Sequence, residues 1–192
     1  MDLRVVILAA GESSRLGYPK QTLKYQGKTL IERAIEVAKD VVDPKRILIL
    51  VGGYQNEVTA FIPEDMNILV NPNWKSGMGS TISHAVRNVS GSCDSILFMP
   101  SDLPLLSGSD LQNIIDKADS SDRTIIYSSF DDGIGIPVLF KSELFEELKN
   151  IEPSIGAKKI ILTHRENTEL VRVPNAAFDI DTQDDVDRLL GN

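Results

Sequence analysis

Four stretches of this 192-residue chain carry residue types that could do chemistry at a telling spacing. The first is Leu8-Ala9-Ala10-Gly11-Glu12-Ser13-Ser14-Arg15-Leu16-Gly17-Tyr18-Pro19-Lys20. Its small residues and glycines let the backbone pass close to a ligand, with N–H groups free for phosphate oxygens. Arg15 and Lys20 supply the positive charge that a triphosphate needs and bare amides lack. The spacing matches neither GxxxxGK[ST] nor GxGxxG, which disfavours a Walker site and a dinucleotide-binding dehydrogenase. Stripped of its charges, the stretch reads as an ordinary glycine-containing turn from strand to helix.

The second stretch, Phe98-Met99-Pro100-Ser101-Asp102-Leu103-Pro104, ends an apolar run with an aspartate. Open α/β sheets place ligands just beyond the carboxyl ends of their strands. A carboxylate there suits Mg²⁺, which takes one or two carboxylates and leaves its other positions to water and phosphate; the alternative is an aspartate capping a turn before proline. In the third stretch, Phe178-Asp179-Ile180-Asp181-Thr182-Gln183-Asp184-Asp185, alternation puts Asp179 and Asp181 on one side of an extended segment. Carboxylates that close call for a cation or a donor between them. Asp181 or Thr182 also reads as the cap of a final helix. The fourth, Asn71-Pro72-Asn73-Trp74-Lys75-Ser76-Gly77-Met78-Gly79-Ser80-Thr81, resembles a ligand-facing loop that opens a helix. A plain helix start capped by Ser76 or Ser80 explains its hydroxyls but not both glycines and Lys75.

The remaining reactive side chains give less. His84 and His164 have no partner at ligand spacing and read as surface or satisfied residues. Cys93, the single cysteine, excludes an intrachain disulfide and reads as an inert thiol before a strand.

Strands expected over 4–9, 46–51, 67–70, 95–99, 124–128, 136–140 and 170–173 must position these residues. Helices are expected over 29–40, 55–61, 79–89, 110–118, 142–149, 157–163 and 182–190. Val5-Val6-Ile7-Leu8 and Ile47-Leu48-Ile49-Leu50 are apolar throughout rather than alternating, which implies burial on both faces. Strand–helix alternation therefore predicts a three-layer α/β/α fold with a mostly parallel central sheet, spanning 1–192 as one domain. Asp131-Asp132-Gly133-Ile134-Gly135 reads as a turn into a later strand.

With 42% apolar and 25% charged residues, the composition fits a globular chain, and no apolar run approaches the ~20 residues that a bilayer span needs. Met1-Asp2-Leu3-Arg4 lacks a charged leader and a small-residue cleavage site, so a reducing cytoplasm is the expected home. The formal net charge of −8 and the lack of a Lys/Arg block argue against nucleic acid as a partner. An acidic protein that handles an anion must concentrate its cations locally. Lys20, at the end of the first loop, is thus expected to matter for turnover and little for stability.

Together the motifs resemble the molybdenum cofactor nucleotidyltransferases, a Rossmann-like, GT-A-type fold, and most closely their cytidylyltransferase branch. Residues 8–20 are similar to that family's LAAGxSxRxGxxK loop, Asn71-Pro72-Asn73-Trp74 with Gly77 to its NPxWxxG segment, and Asp102-Leu103-Pro104 to its D-x-P metal site. Gly156-Ala157 and Asp179-Ile180-Asp181-Thr182 match its late GA and DIDTP-like segments. Two departures stand out: Ile136 precedes Pro137 where the family usually has histidine, and Gln183 replaces a proline.

The resemblance implies that Ala9, Ala10 and Gly11 face the base, and that the nucleotide site draws on Leu8, Ser13, Ser14, Arg15, Lys20, Gly77, Ser80 and Asp102. It implies Arg15, Lys20 and Asp102 as the catalytic set and Asp102, Asp179 and Asp181 as Mg²⁺ ligands. The implied partners are CTP and a phosphorylated acceptor of the molybdopterin type, with molybdoenzymes or their chaperones as protein partners. A guanylyltransferase is disfavoured because that branch reads LAGG where Leu8-Ala9-Ala10-Gly11 stands here. Sugar- or polyol-phosphate nucleotidyltransferases share the loop without the 71–77 and 156–157 combination. A non-turnover nucleotide-binding module would not need both cations and all three aspartates.

Overall fold

The computed structural model describes residues 1–130 and 133–191. Its centre is β1 (Leu3–Ala9), whose side chains divide between two helical layers. Val5, Ile7 and Ala9 pack towards α1 (Leu30–Lys39), α2 (Gln55–Thr59) and α4 (Gly108–Ser120). Val6 and Leu8 pack towards α3 (Met78–Val89), α5 (Phe145–Lys149) and α6 (Ala157–Thr163). Burial on both faces explains the unbroken apolar runs: all five residues of β4 (Ile47–Val51) are buried. At about 1.5–3 kcal/mol for each fully buried aliphatic side chain, this sheet holds the molecule together.

Seven strands form the sheet, in the order β5 (Asn67–Val70), β4, β1, β6 (Ser95–Pro100), β8 (Gly133–Lys141), β7 (Ile125–Phe130) and β9 (Thr168–Arg172). β5–β4, β4–β1, β1–β6 and β7–β9 are parallel pairs; only β8 runs against its neighbours β6 and β7. The expected three-layer, mostly parallel fold is what forms. The chain winds outwards from β1 through β4 to β5 and then returns to the other side of β1 at β6. That reversal puts a topological switch point between the carboxyl ends of β1 and β6, where open sheets bind ligands.

Capping residues set where three helices begin. Thr29, Ser107 and Thr182 each form a capping box, with Glu32, Asp110 and Asp185 respectively. Thr182, not Asp181, is thus the cap of α7 (Gln183–Leu190). Neither Ser76 nor Ser80 caps α3; Gly77 holds that position at φ +113°, beyond the reach of most side chains. The helix expected over 142–149 divides into a 3₁₀ turn at Ser142–Leu144 and α5. A hairpin of β2 (Lys24–Tyr25) and β3 (Lys28–Thr29) was not legible, because two-residue strands leave no period to read. Of the expected turn at 131–135, Asp131 and Asp132 lie outside the described residues, while Gly133, Ile134 and Gly135 already belong to β8.

A third, smaller cluster supports the site. Ile180 and Val186 are buried against Leu30, with Leu16, Leu23, Tyr25 and Phe178 packed around them. It joins the loop after β1 to the segment that precedes α7, although the two are far apart in sequence.

Candidate active site

The loop after β1 is folded by its own polar groups. Ser13 takes φ +52° and its carbonyl accepts from the amides of Leu16 at 3.0 Å and Gly17 at 3.1 Å. Its hydroxyl accepts from the amide of Lys20 at 3.1 Å, and Gly17 at φ +75° turns the chain back. A second loop clamps the first: the amide of Gly53 donates to the carbonyl of Ala10 at 3.0 Å, and Tyr54 Oη donates to the carbonyl of Gly17 at 3.3 Å. A Cβ on Gly53 would lie 3.1 Å from the backbone of Glu12, so this close approach needs glycine.

The folded loop delivers Lys20 to the floor of a cleft. Its ammonium lies 2.5 Å from Asp102 Oδ2 and 2.6 Å from Asp181 Oδ1. Arg15 Nη1 reaches the other oxygen of Asp181 at 3.0 Å, from a side chain that is 71% exposed. Burial alone would lower the Lys20 pKa, but the charges and hydrogen bonds of Asp102 and Asp181 outweigh it and hold the pKa above the ordinary lysine value. Asp179 is displaced in the same direction. Partial burial, then the charges of Asp102 and Asp181, push its carboxyl above the usual range. One backbone bond registers these parts: the amide of Ile180 donates to the carbonyl of Asp102 at 3.2 Å.

The cleft has a volume of about 860 Å³ and opens at the switch point between β1 and β6. Leu8, Ala10, Gly11, Lys20, Asp102, Asp179 and Asp181 line one part of it. Trp74, Lys75, Gly77 and Met78 line another, and Phe130, Ile134 and Ile136 an apolar third. The start of α3 is held in place from behind. A Cβ on Gly79 would fall 2.2 Å from the carbonyl of Glu152, and one on Gly77 2.6 Å from that of Pro153. These glycines let residues 152–155 press against the helix start, just before Gly156 caps α6.

Several expected site residues have other work. The side chain of Ala9 is 1% exposed and faces the core, because alternation along β1 points it towards α1, α2 and α4. Ser13 spends its hydroxyl and carbonyl on closing the loop, and Ser14 is exposed outside the cleft lining. Ser80 Oγ donates towards the carbonyls of Gly77 at 2.8 Å and Asn73 at 2.9 Å and accepts from Asn71 Nδ2 at 3.0 Å, so it braces the helix start. Arg15 stands at the rim on Asp181. Asp102, Asp179 and Asp181 do not form a ready-made metal cage: among the described residues no three His, Cys, Asp or Glu side chains converge on one point. Two of the three are turned onto Lys20 instead.

Both histidines stand outside the cleft lining, with His164 Nε2 at 2.8 Å from Glu147 Oε2. Burial pushes the Cys93 thiol up to about 11, as an inert cysteine requires. Gln21, Gly52 and Gly53 escaped the sequence reading. The Gly-Gly pair directly after β4 was the available signal for the latter two; Gln21 had none beyond following Lys20.

With this geometry in view, the comparisons have a clear meaning. The family model for the MobA-like NTP transferase domain matches residues 5–168. The chain belongs to that family. Members are nucleotidyltransferases, and the match takes in the whole glycine loop, Lys20 and Asp102. Among solved structures, Rv0371c from Mycobacterium tuberculosis H37Rv superposes with a TM-score of 0.84 at 29% identity, covering 100% of this chain and 98% of that one. A complex of Rv0371c with manganese gives 0.81 at 26% identity, covering both chains fully. The bifunctional protein GlmU of Buchnera aphidicola is 28% identical over 163 residues, 83% of this chain. This chain spans only 35% of that protein's length. Molybdopterin-guanine dinucleotide biosynthesis protein A from Archaeoglobus fulgidus shares the fold, at a TM-score of 0.74 and 17% identity, covering 97% of this chain and 96% of that one. Among the described residues of this MobA-like protein, no helix is long and apolar enough to cross a membrane.

Proposed function

We propose that this MobA-like protein transfers CMP from CTP to the phosphate of a molybdopterin-type acceptor in the cytoplasm, releasing pyrophosphate. One observation carries the reading: a lysine that follows a glycine loop stands on two aspartates at the floor of an open cleft. Such a lysine can exchange an aspartate for a phosphate oxygen and so neutralise charge that accumulates during phosphoryl chemistry.

An oxygen of the acceptor phosphate bonds to the α-phosphorus, and the bond from that phosphorus to the β-bridging oxygen breaks. Its electron pair leaves with pyrophosphate. A phosphate monoester is already ionised near neutral pH, its second pKa being about 6, so no strong base is required. That suits a cleft lined, among the described residues, by no histidine and no cysteine. Lys20 holds phosphate oxygens, Arg15 screens the cleft mouth, and Trp74 with Lys75 forms the wall beside the helix start. The apolar wall of Phe130, Ile134 and Ile136 excludes water from the acceptor side.

The donor chemistry fits a hard divalent cation. Asp102, Asp179 and Asp181 offer only carboxylate oxygens, and burial, then the charges of Asp102 and Asp181, raise the Asp179 carboxyl even with Lys20 in place. Asp102 with Asp179 or Asp181 would hold Mg²⁺, which would neutralise phosphate charge as the bond breaks. The manganese complex of Rv0371c supports the same class of ion here.

Ala10, the second small residue of the loop, presents its methyl to the cleft and narrows it for a purine. Pyrophosphate release, measured across CTP, GTP, UTP and ATP with molybdopterin and with sugar phosphates as acceptors, tests the proposal. Turnover with CTP and molybdopterin is expected to lead. Release that depends on a sugar phosphate instead would reassign the acceptor, and no release with any pair would refute transfer.

A further inference from the structure

Gln21 is 1% exposed, yet it is among the residues that line the cleft. Its Nε2 donates to the carbonyl of Ala9 at 3.3 Å and to that of Gly11 at 3.4 Å. Carbonyl oxygens only accept, so turning the amide over would set oxygen against oxygen; the two bonds determine which end is which. That leaves Oε1 as a buried acceptor with no partner among the described residues. Buried polar atoms are nearly always paired, and one that is not invites a search for its missing donor.

The surroundings say what kind of donor fits. Lys20 and Gln21 leave the same short turn, Lys20–Thr22, in different directions. Lys20 goes to the aspartates, and Gln21 goes to the carbonyls of Ala9 and Gly11. A nucleotide held at Lys20 through its phosphates therefore has its other end free to reach the Gln21 side. Gly11, whose carbonyl Gln21 holds, borders open space: a Cβ added to it would meet nothing within 4 Å. Phosphate oxygens cannot satisfy an acceptor. A base with an exocyclic amine can, because its N–H bonds point outwards in the plane of the ring.

Resting on the nucleotidyl-transfer reading above, we propose that the amide oxygen of Gln21 reads the base, accepting a hydrogen bond from the 4-amino group of cytosine. This makes Gln21 a specificity-determining residue adjacent to the catalytic lysine. A site built to pair with a donor rejects the analogue that lacks it, because its own acceptor is then left unpaired.

Calorimetric titration of the full chain with Mg²⁺ tests this without any acceptor. The ligands are CTP, its analogue without the 4-amino group (the triphosphate of the pyrimidin-2-one riboside), 2′-deoxy-CTP and GTP. Wild type is expected to bind the amine-free analogue about tenfold or more weakly than CTP. Gln21→Met, which removes the acceptor at similar side-chain length, should bind the two within about twofold. Each variant supplies its own ratio, so a general loss of affinity from a loosened loop cancels. Equal binding in wild type overturns the proposal, as does a penalty that survives in Gln21→Met. If Gln21→Met erases discrimination against 2′-deoxy-CTP instead, the oxygen reads the ribose and the proposal is likewise wrong. In each of those cases CTP-dependent pyrophosphate release leaves nucleotidyl transfer standing, whereas binding of no nucleotide at all removes both.

Discussion

Lys20→Ala should damage stability as well as turnover, although its place at the end of a loop suggests a lysine dispensable to the fold. At an effective dielectric constant of about 20, a unit-charge pair at 2.5–2.6 Å gains roughly 6 kcal/mol. Two such pairs converge on one ammonium, and taking that ammonium and Asp102 out of water costs several kcal/mol in return. Asp181 is 42% exposed, so solvent screens its share and most of the net gain comes from Asp102, at 17%. A net loss of about 2 kcal/mol on unfolding is expected for Lys20→Ala, measured by urea denaturation near neutral pH. Turnover should fall by a further ~2–4 kcal/mol of transition-state stabilisation, on the order of 30- to 1,000-fold in kcat/KM. The sign of the pH dependence follows from the raised lysine pKa. Its stabilisation is complete below the unfolded ammonium value and disappears as pH rises through the higher folded value. On the alkaline side, the difference between wild type and Lys20→Ala should therefore persist until strong alkali. A double-mutant cycle with Asp102→Asn should show coupling, because either single substitution removes the same ion pair. An unchanged urea midpoint would refute the ion-pair argument, and activity within about threefold of wild type would refute the placement of Lys20 on the phosphates.

Asp179→Asn should raise the melting temperature at neutral pH while lowering Mg²⁺-dependent turnover. A carboxyl whose folded pKa is raised contributes its full stabilisation below its unfolded value and loses it as pH rises through the folded one. Thermal scans at pH 3.5 and pH 7 check the sign, and a fall in melting temperature at pH 7 contradicts it. Gly79→Ala puts a methyl where carbonyls lie 2.2 and 2.6 Å away, so residues 152–155 must move; a cost of ~1–3 kcal/mol and a raised nucleotide KM should appear together. Neutral behaviour in both assays would mean that the helix start is not braced as described. CTP should be preferred to GTP by at least about tenfold in kcat/KM, or ~1.4 kcal/mol. Ala10→Gly should erode that preference, and competition kinetics that show equal use of both nucleotides would remove the cytidylyl assignment.

How much of this was legible depends on the kind of signal. The apolar runs at 5–8 and 47–50 announced a sheet covered on both faces because two-sided burial tolerates no polar residue. Alternation in 178–181 correctly put Asp179 and Asp181 on the cleft side of Ile180, which is fully buried. The same rule, applied to β1, should have warned that Ala9 points away from the cleft wall that Leu8 and Ala10 share. The reversed direction of β8 could not be read, since a strand buried among neighbours looks alike in either orientation. Nor could the hydroxyls be assigned. Serine caps, closes turns and binds phosphate with equal facility, and only coordinates reveal that Ser13 and Ser80 are engaged within the chain. Lys20 was recognised as a cation for a ligand, but its partners lie 82 and 161 positions on, out of reach of any local pattern.

That separation has a consequence for how the molecule breathes. Residues 178–190 pack their apolar side chains into one small cluster, and α7 itself buries only Val186. Hydrogen bonds within the sheet owe nothing to this segment, so it belongs to the low-stability end of the opening events available to a folded chain. Were it to lift, Asp181 would leave Lys20 while β1 and β6 stay paired, and the ammonium would keep Asp102 as its partner on the cleft floor.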